Sequence, residues 1–162
     1  MAWPWLLAAV ILVSDQVTKY LVQTILSTGQ GIVLIPGLLN LVHAQNKGVA
    51  FGVLAAAGGW QVPLLAVLTS LVILGLGIWL FRLGRQDFGT RLALAMILGG
   101  AVGNLVDRVR LGYVVDFIDV HWKAVYHYPA FNVADSGITL GALVLVGVLI
   151  REERLARRDR AG

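Results

Sequence analysis

The sequence predicts an all-α membrane protein in which four transmembrane helices carry a small extracytoplasmic β-rich platform. The composition is the first observation that indicates this class. Of the 162 residues, 58% are hydrophobic and only 14% are charged, and the mean hydropathy is +0.80. Soluble domains carry about 25% charged residues. A chain with so few charges cannot cover the surface of a soluble core, so the composition excludes a soluble enzyme.

The second observation is the presence of four apolar segments, each near the length of about 20 residues that a bilayer requires. The predicted spans are 3–26, 62–81, 92–111 and 133–150. The predicted outer loops are 27–61 and 112–132, and residues 151–162 form a cytoplasmic basic tail. The chain is therefore predicted to be one integral-membrane domain over residues 1–162.

The distribution of arginine predicts how the chain is oriented. The tail holds five arginines and the link between spans two and three holds three, whereas the first outer loop holds only Lys47. Basic residues are enriched on the cytoplasmic side of membranes. We therefore expect a multi-pass protein with both termini in the cytoplasm. The net charge of +4 is then a signal of topology and of contact with anionic lipid, and no nucleic-acid partner is expected.

The outer loops carry apolar patterns of their own. Residues 32–35 are rich in β-branched side chains, Pro36 and Gly37 predict a turn, and 38–42 and 49–53 are again apolar. This pattern predicts the β-rich platform, lying on the membrane surface. Residues 116–123 predict a short amphipathic segment whose Phe117, Ile118 and Trp122 enter the lipid.

Acidic residues cluster on one side of the predicted membrane. Five aspartates lie in the first span or near the outer ends of the third and fourth, and they are Asp15, Asp107, Asp116, Asp119 and Asp135. Ionisable groups at membrane depth are functional by default. The second span has only Thr69 and Ser70 as polar residues, which favours a one-sided site over a path through the membrane.

Helical spacing brings several of these groups onto shared faces. Asn104 and Asp107 are three residues apart, as are Asn132 and Asp135, and Arg108 follows Asn104 by four. A second set lies in the first span, where Asp15 and Lys19 form an i, i+4 pair. We expect this pair to be a neutralised, buried ion pair.

Gly99, Gly100 and Gly103 are expected to allow close helix packing.

Asp116 and Asp135 differ from the other aspartates because neither has a basic residue within four positions. Two carboxylates about 4 Å apart repel by about 4 kcal/mol at an effective dielectric of 20. One would then be neutral and one ionised near pH 7, as peptide hydrolysis by an aspartic protease requires. The alternative is a polar lining for an ion or proton path.

Other catalytic chemistries find little support. The three histidines lack HExxH or any helical i, i+4 spacing, which disfavours zinc catalysis. Ser136 does not lie in a G-x-S-x-G motif, which leaves an intramembrane serine protease as a weaker alternative. The chain has no cysteine, so disulfides, thiolate metal sites and cysteine nucleophiles are excluded.

Five ordered sequence blocks, which span nearly the whole chain, carry a resemblance to a known family. They are DQVTK at 15–19, NKGVAF at 46–51, GGAVGNLVDR at 99–108, VVDF at 114–117 and PAFNVADS at 129–136. With them the chain resembles the lipoprotein signal peptidases (signal peptidase II), which are membrane aspartic proteases of bacteria.

The resemblance implies cleavage of diacylglyceryl-modified prolipoproteins on the N-terminal side of the lipid-bearing cysteine. It further implies that this happens at the outer face of the bacterial plasma (inner) membrane, without a metal or other cofactor. The expected partners are the lipidated substrate and membrane lipid, and no obligate protein partner is inferred.

The resemblance also implies a role for individual residues. Asp116 and Asp135 correspond to the catalytic pair. The groups that line the substrate site and orient its backbone correspond to Asn46, Gly48, Asn104, Arg108 and Asn132. Asp15 and Lys19 correspond to supporting residues, and Asp107 is either a further support or an alternative catalyst.

Overall fold

The computed structural model describes residues 2–48, 59–84, 87–122 and 126–161. Within them lie four long helices, α1 (Trp3–Ile25), α2 (Gln61–Arg82), α3 (Phe88–Leu111) and α4 (Val133–Ala161). Each is long and apolar enough to cross a membrane, which confirms the predicted fold class. Residues 151–161 of the basic tail continue α4 as one helix.

Helix α3 is the centre of the bundle. In its most apolar stretch 56% of the residues are buried, against 6–22% in the other three helices. Small residues allow this packing, as predicted. A Cβ atom at Gly99 would lie 2.6 Å from the carbonyl oxygen of Ala8 in α1, and one at Gly100 would clash with the carbonyl oxygen of Ala134 in α4. The backbones of α1 and α4 therefore approach α3 at its glycines.

A small antiparallel sheet lies at one end of the bundle, where α1 and α3 end and α4 begins. Its strands are β1 (Gly31–Ile35), β2 (Leu39–Asn46), β3 (Val114–Trp122) and the two-residue β4 (Tyr126–His127), in that spatial order. The register places Ala44 opposite Asp116. The predicted β-rich platform is thus present over strands β1 and β2, whereas the apolar segment 49–53 lies outside the described residues.

The predicted amphipathic interfacial segment at 116–123 is contradicted at Phe117, which was expected to enter the lipid. Residues 116–122 belong to β3, which lies between β2 and β4, and residue 123 lies outside the described residues. Phe117 is buried against Val22 and Leu26 of the α1 end and does not face lipid, whereas Trp122 is 64% exposed. The strand forms because β-branched and aromatic residues make up most of this segment and β2 supplies a hydrogen-bonding partner.

Candidate active site

Asp116 is held in the sheet by two asparagine side chains. It lies in β3 and is only 3% exposed. Asn46 Nδ2 donates to Asp116 Oδ2 at 3.0 Å, and Asn132 Nδ2 donates to Asp116 Oδ1 at 2.8 Å. Both carboxylate oxygens are therefore oriented by neutral donors, which satisfy the buried group without adding a charge.

Asp135 is held at the start of α4 by a reciprocal cap. Asn132 Oδ1 accepts from the Asp135 N–H at 2.8 Å, and Asp135 Oδ2 accepts from the Asn132 N–H at 3.2 Å. This is the geometry of a capping box with Asn and Asp in place of the usual Ser/Thr and Glu. Asn104 Nδ2 also donates to Asp135 Oδ1 at 2.8 Å. Asn132 and Asp135, three residues apart, therefore form a helix cap in addition to lying on the same face of the helix.

The two carboxyl groups open into the same cavity, which has a volume of about 590 Å³. Its polar wall is made by Asn46, Asn104, Arg108, Asp116 and Asp135. Its less polar wall is made by Val114, the segment 128–131 and one turn of α4 that includes Ile138, Thr139 and Leu140. The cavity therefore joins a carboxylate pair to an apolar surface that continues along a membrane helix.

The electrostatics of the cavity favour the neutral form of Asp116. Burial is the main cause that raises the pKa of Asp116 to about 7, and the negative charge of Asp135 adds to it. The hydrogen bond from Asn46 and the charge of Lys19 act in the opposite direction. Because this pKa is raised, Asp116 keeps its proton below about pH 7 and loses it as the pH rises further. Chemistry that needs one neutral carboxyl therefore declines above neutral pH.

Arg108 lies at the edge of the cavity beside Gly48. Its Nη2 is 3.4 Å from the carbonyl oxygen of Gly48, and its Nη1 is 3.4 Å from that of Asn104. The Gly48 N–H donates to Asn46 Oδ1 at 3.0 Å. The structure thus brings Asn46, Gly48 and Arg108 together around Asp116, although their strands and helix are far apart in sequence.

The remaining predicted residues form a buried cluster behind the cavity. Lys19 Nζ lies 2.8 Å from Asp15 Oδ2 and 2.9 Å from Asp107 Oδ2. The predicted i, i+4 ion pair is confirmed, and the ionic partner of Asp107 within the described residues is Lys19. Sequence analysis did not single out Gln16, whose Nε2 donates to Asp107 Oδ1 at 3.0 Å. A polar residue next to Asp15 inside an apolar span was the available signal.

Asp119 is the one member of the aspartate group that lies away from these contacts. Asn40 Nδ2 donates to Asp119 Oδ2 at 2.8 Å, and His121 lies beside it. His43 is also in the sheet, with its Nδ1 2.9 Å from the carbonyl oxygen of Leu26. Over the described ranges, no three His, Asp or Glu side chains are arranged as a metal site.

Comparison with known proteins identifies the family. The model of the family described as signal peptidase (SPase) II matches residues 7–151. The chain belongs to the signal peptidase II family. Lipoprotein signal peptidase from Pseudomonas syringae pv. tomato is 50% identical over 90% of this chain and 83% of its own length. The Pseudomonas aeruginosa protein of that name is 46% identical over 93% and 90%.

Two solved structures of bacterial membrane enzymes share this fold. One bacterial membrane enzyme superposes with a TM-score of 0.84 at 30% identity and covers 94% of this chain and 90% of its own. A second superposes with a TM-score of 0.80 at 30% identity, over 92% and 93% of the two chains. The membrane helices and the sheet therefore form the fold of a known class of membrane enzyme.

Proposed function

We propose that this signal peptidase II removes the signal peptide from diacylglyceryl-modified prolipoproteins, cutting on the N-terminal side of the lipid-bearing cysteine. We further propose that Asp116 and Asp135 are its catalytic pair. The observation that carries the proposal is the cavity that holds both carboxyl groups beside the apolar side chains of Ile138 and Leu140 in α4. A peptidase of a lipidated substrate needs these two surfaces next to each other.

The reaction proceeds by attack of water on the scissile carbonyl. The ionised carboxylate takes a proton from the water, and the neutral carboxyl donates a hydrogen bond to the carbonyl oxygen. The C–N bond then breaks as the leaving nitrogen receives a proton from the pair. The raised pKa of Asp116 supports this division, because it allows one carboxyl to stay neutral near pH 7.

The polar wall of the cavity orients the substrate backbone. Asn104 and Asn132 hold the carboxyl groups and thereby the position of the attacked bond. Arg108 lines the cavity and lies 3.4 Å from the Gly48 carbonyl oxygen, so in this proposal these two groups contact the extended peptide. The diacylglyceryl group lies along Ile138 and Leu140, which continue the cavity towards the apolar part of α4.

The substrate class can be tested with a synthetic prolipoprotein peptide, with and without the diacylglyceryl group on its cysteine. The purified protein is expected to cleave only the lipidated peptide, and mass spectrometry is expected to locate the cut before the cysteine. A metal chelator is expected to leave the rate unchanged. Equal cleavage of both peptides would contradict lipid recognition. No cleavage by a well-folded protein would contradict the proposed function, and ion flux in liposomes would then test the alternative.

The active site faces the outer side of the membrane in this proposal, and both termini are cytoplasmic. Arg82, Arg91 and the basic end of α4 lie at the end of the bundle opposite the sheet, which supports this orientation. The exposure of strand β1 supports contact between the sheet and lipid. Ile32 and Val33 point to opposite faces of the sheet, and they are 43% and 62% exposed.

Because the chain has no cysteine, single cysteines can report the orientation. Ser27, just after α1, and Ala156, in the tail, are both exposed small residues. In intact spheroplasts, a membrane-impermeant maleimide is expected to label the Ser27→Cys variant and to label the Ala156→Cys variant only after lysis. The reverse pattern would place the active site on the cytoplasmic side.

A further inference from the structure

Lys19 is the least expected side chain in the membrane part of the protein. It is a lysine in the middle of α1 and is only 1% exposed. An ammonium group has three N–H donors, and here three acceptors lie within 3.0 Å. They are Asp15 Oδ2 at 2.8 Å, Asp107 Oδ2 at 2.9 Å and Asn104 Oδ1 at 3.0 Å. A saturated ammonium with three partners from two helices has a defined position.

The first partner of Lys19 leads to the start of α4. Asp15 uses its other oxygen, Oδ1, to accept from the Ala134 N–H at 2.9 Å, across 119 residues of sequence. Ala134 is fully buried and directly precedes Asp135. Gly103 permits this arrangement, because a Cβ atom there would lie 2.6 Å from Asp15 Oδ2. The carboxylate of Asp15 therefore ties the backbone next to Asp135 to α1.

The second partner leads to β3 in the same way. Asp107 Oδ2 accepts from the Val115 N–H at 3.0 Å, and Val115 directly precedes Asp116. The third partner, Asn104, donates through its Nδ2 to Asp135 Oδ1 at 2.8 Å. Each side chain that binds Lys19 therefore also binds a catalytic aspartate or the residue before it.

We propose that Lys19 is a positioning residue that fixes Asp116 and Asp135 relative to one another, through Asp15 at the start of α4 and through Asp107 at strand β3. The inference rests on the proposed function, because it assumes that these two aspartates are the catalytic pair. A buried ion cluster often contributes little net stability, whereas it can specify one arrangement of the groups around it. Here the arrangement is the separation of two carboxyl groups from different elements.

The charge of Lys19 provides a second and independent readout. The groups that face Asp116 are Asp135 from α4, Lys19 from α1 and Arg108 from α3, together with the amides of Asn46 and Asn132. Lys19 lowers the pKa of Asp116. Loss of the ammonium is therefore expected to raise that pKa and to move the alkaline decline of activity to higher pH. A role limited to folding would leave the pH profile of the folded enzyme unchanged.

The test is steady-state cleavage of the diacylglyceryl peptide by the Lys19→Met variant. Misplacing catalytic groups by about 1 Å costs about 100-fold in rate, so we expect kcat to fall by about that factor. KM is expected to change by less than about threefold, because no residue that lines the cavity is replaced. The alkaline decline is expected to shift to higher pH. The matched control is Arg157→Met, which removes a basic group whose side chain is 75% exposed and should leave kcat unchanged.

The Lys19→Met variant leaves two buried carboxylates without a counter-charge, so it can fail to fold. The double variant Lys19→Met/Asp107→Asn removes one charge of each sign and keeps the acceptor for the Val115 N–H. It is expected to fold and to retain the low kcat. A folded single or double variant with wild-type kcat would overturn the proposal. If neither variant folds, Lys19 serves the fold and not the pair, which also overturns it. Inactivity of the wild type would instead contradict the proposed function.

Discussion

Replacement of either Asp116 or Asp135 by asparagine is expected to lower kcat for the lipidated peptide by at least about 1,000-fold, the scale of general acid–base catalysis. Asparagine keeps the shape of the side chain, but it can neither take a proton from water nor give one to the leaving nitrogen. Initial rates at matched concentrations of folded protein measure the effect. An active single variant would remove that aspartate from the catalytic pair.

The folded state of these two variants is expected to survive. The Asp116→Asn change removes a carboxyl that burial disfavours in its charged form, and it keeps one acceptor for the amides of Asn46 and Asn132. The loss of one hydrogen bond is partly offset by the loss of the buried charge. We therefore expect Tm values in detergent within about 5 °C of the wild type, since about 1 kcal/mol moves Tm by 2–4 °C at this size.

Asp119 offers a matched control for the same strand. It lies in β3 with Asp116, and Asn40 donates to it at 2.8 Å. The Asp119→Asn variant should cleave the lipidated peptide within about threefold of the wild-type rate. Residue 119 does not line the cavity that holds the two carboxyl groups, so it takes no part in the proposed general acid–base catalysis. Comparison with Asp107→Asn also tests the alternative catalyst. If a folded Asp107→Asn variant is inactive while the Asp116→Asn variant cleaves, the catalytic role belongs to Asp107.

The largest expected effect on stability is that of Gly100→Ala. A Cβ atom at this position would meet the carbonyl oxygen of Ala134, which is backbone and cannot rotate away, and would also lie 2.9 Å from Ile138. Overpacking of this kind costs about 1–3 kcal/mol or more. At this chain length a loss of about 3 kcal/mol lowers Tm by roughly 10 °C. Activity is expected to fall as well, because the displaced backbone directly precedes Asp135.

The control for this change is Gly147→Ala in α4, where nothing lies within 4 Å of the added Cβ atom. Glycine is less favourable than alanine inside a helix by about 1 kcal/mol, so this variant should have an equal or higher Tm. Thermal unfolding of both variants in the same detergent gives the comparison. Equal Tm values for the two variants would show that α3 and α4 do not approach closely at Gly100.

The helices and the polar groups of the site could be predicted to different degrees. Each span is a local property of about 20 apolar residues, so hydropathy alone locates all four. The ion pair of Asp15 and Lys19 could also be predicted from the sequence, because residues four positions apart lie on the same face of a helix. Phe117 shows the limit of local patterns. Its segment is apolar enough to suggest contact with lipid, and only the presence of β2 beside it makes the segment a strand.

The sequence by itself determined that this chain is a membrane protein and which carboxyl groups lie near the same end of its helices, because the length of an apolar segment and the position of a charge are local properties of the chain. Only the tertiary structure decided which partners each aspartate contacts. Asp107 forms an ion pair with Lys19, whereas the carboxyl groups of Asp116 and Asp135 line the cavity. The reason is that this choice depends on how closely α3 packs against α1 and α4 at its glycines. Contacts between residues about a hundred positions apart have no local signal.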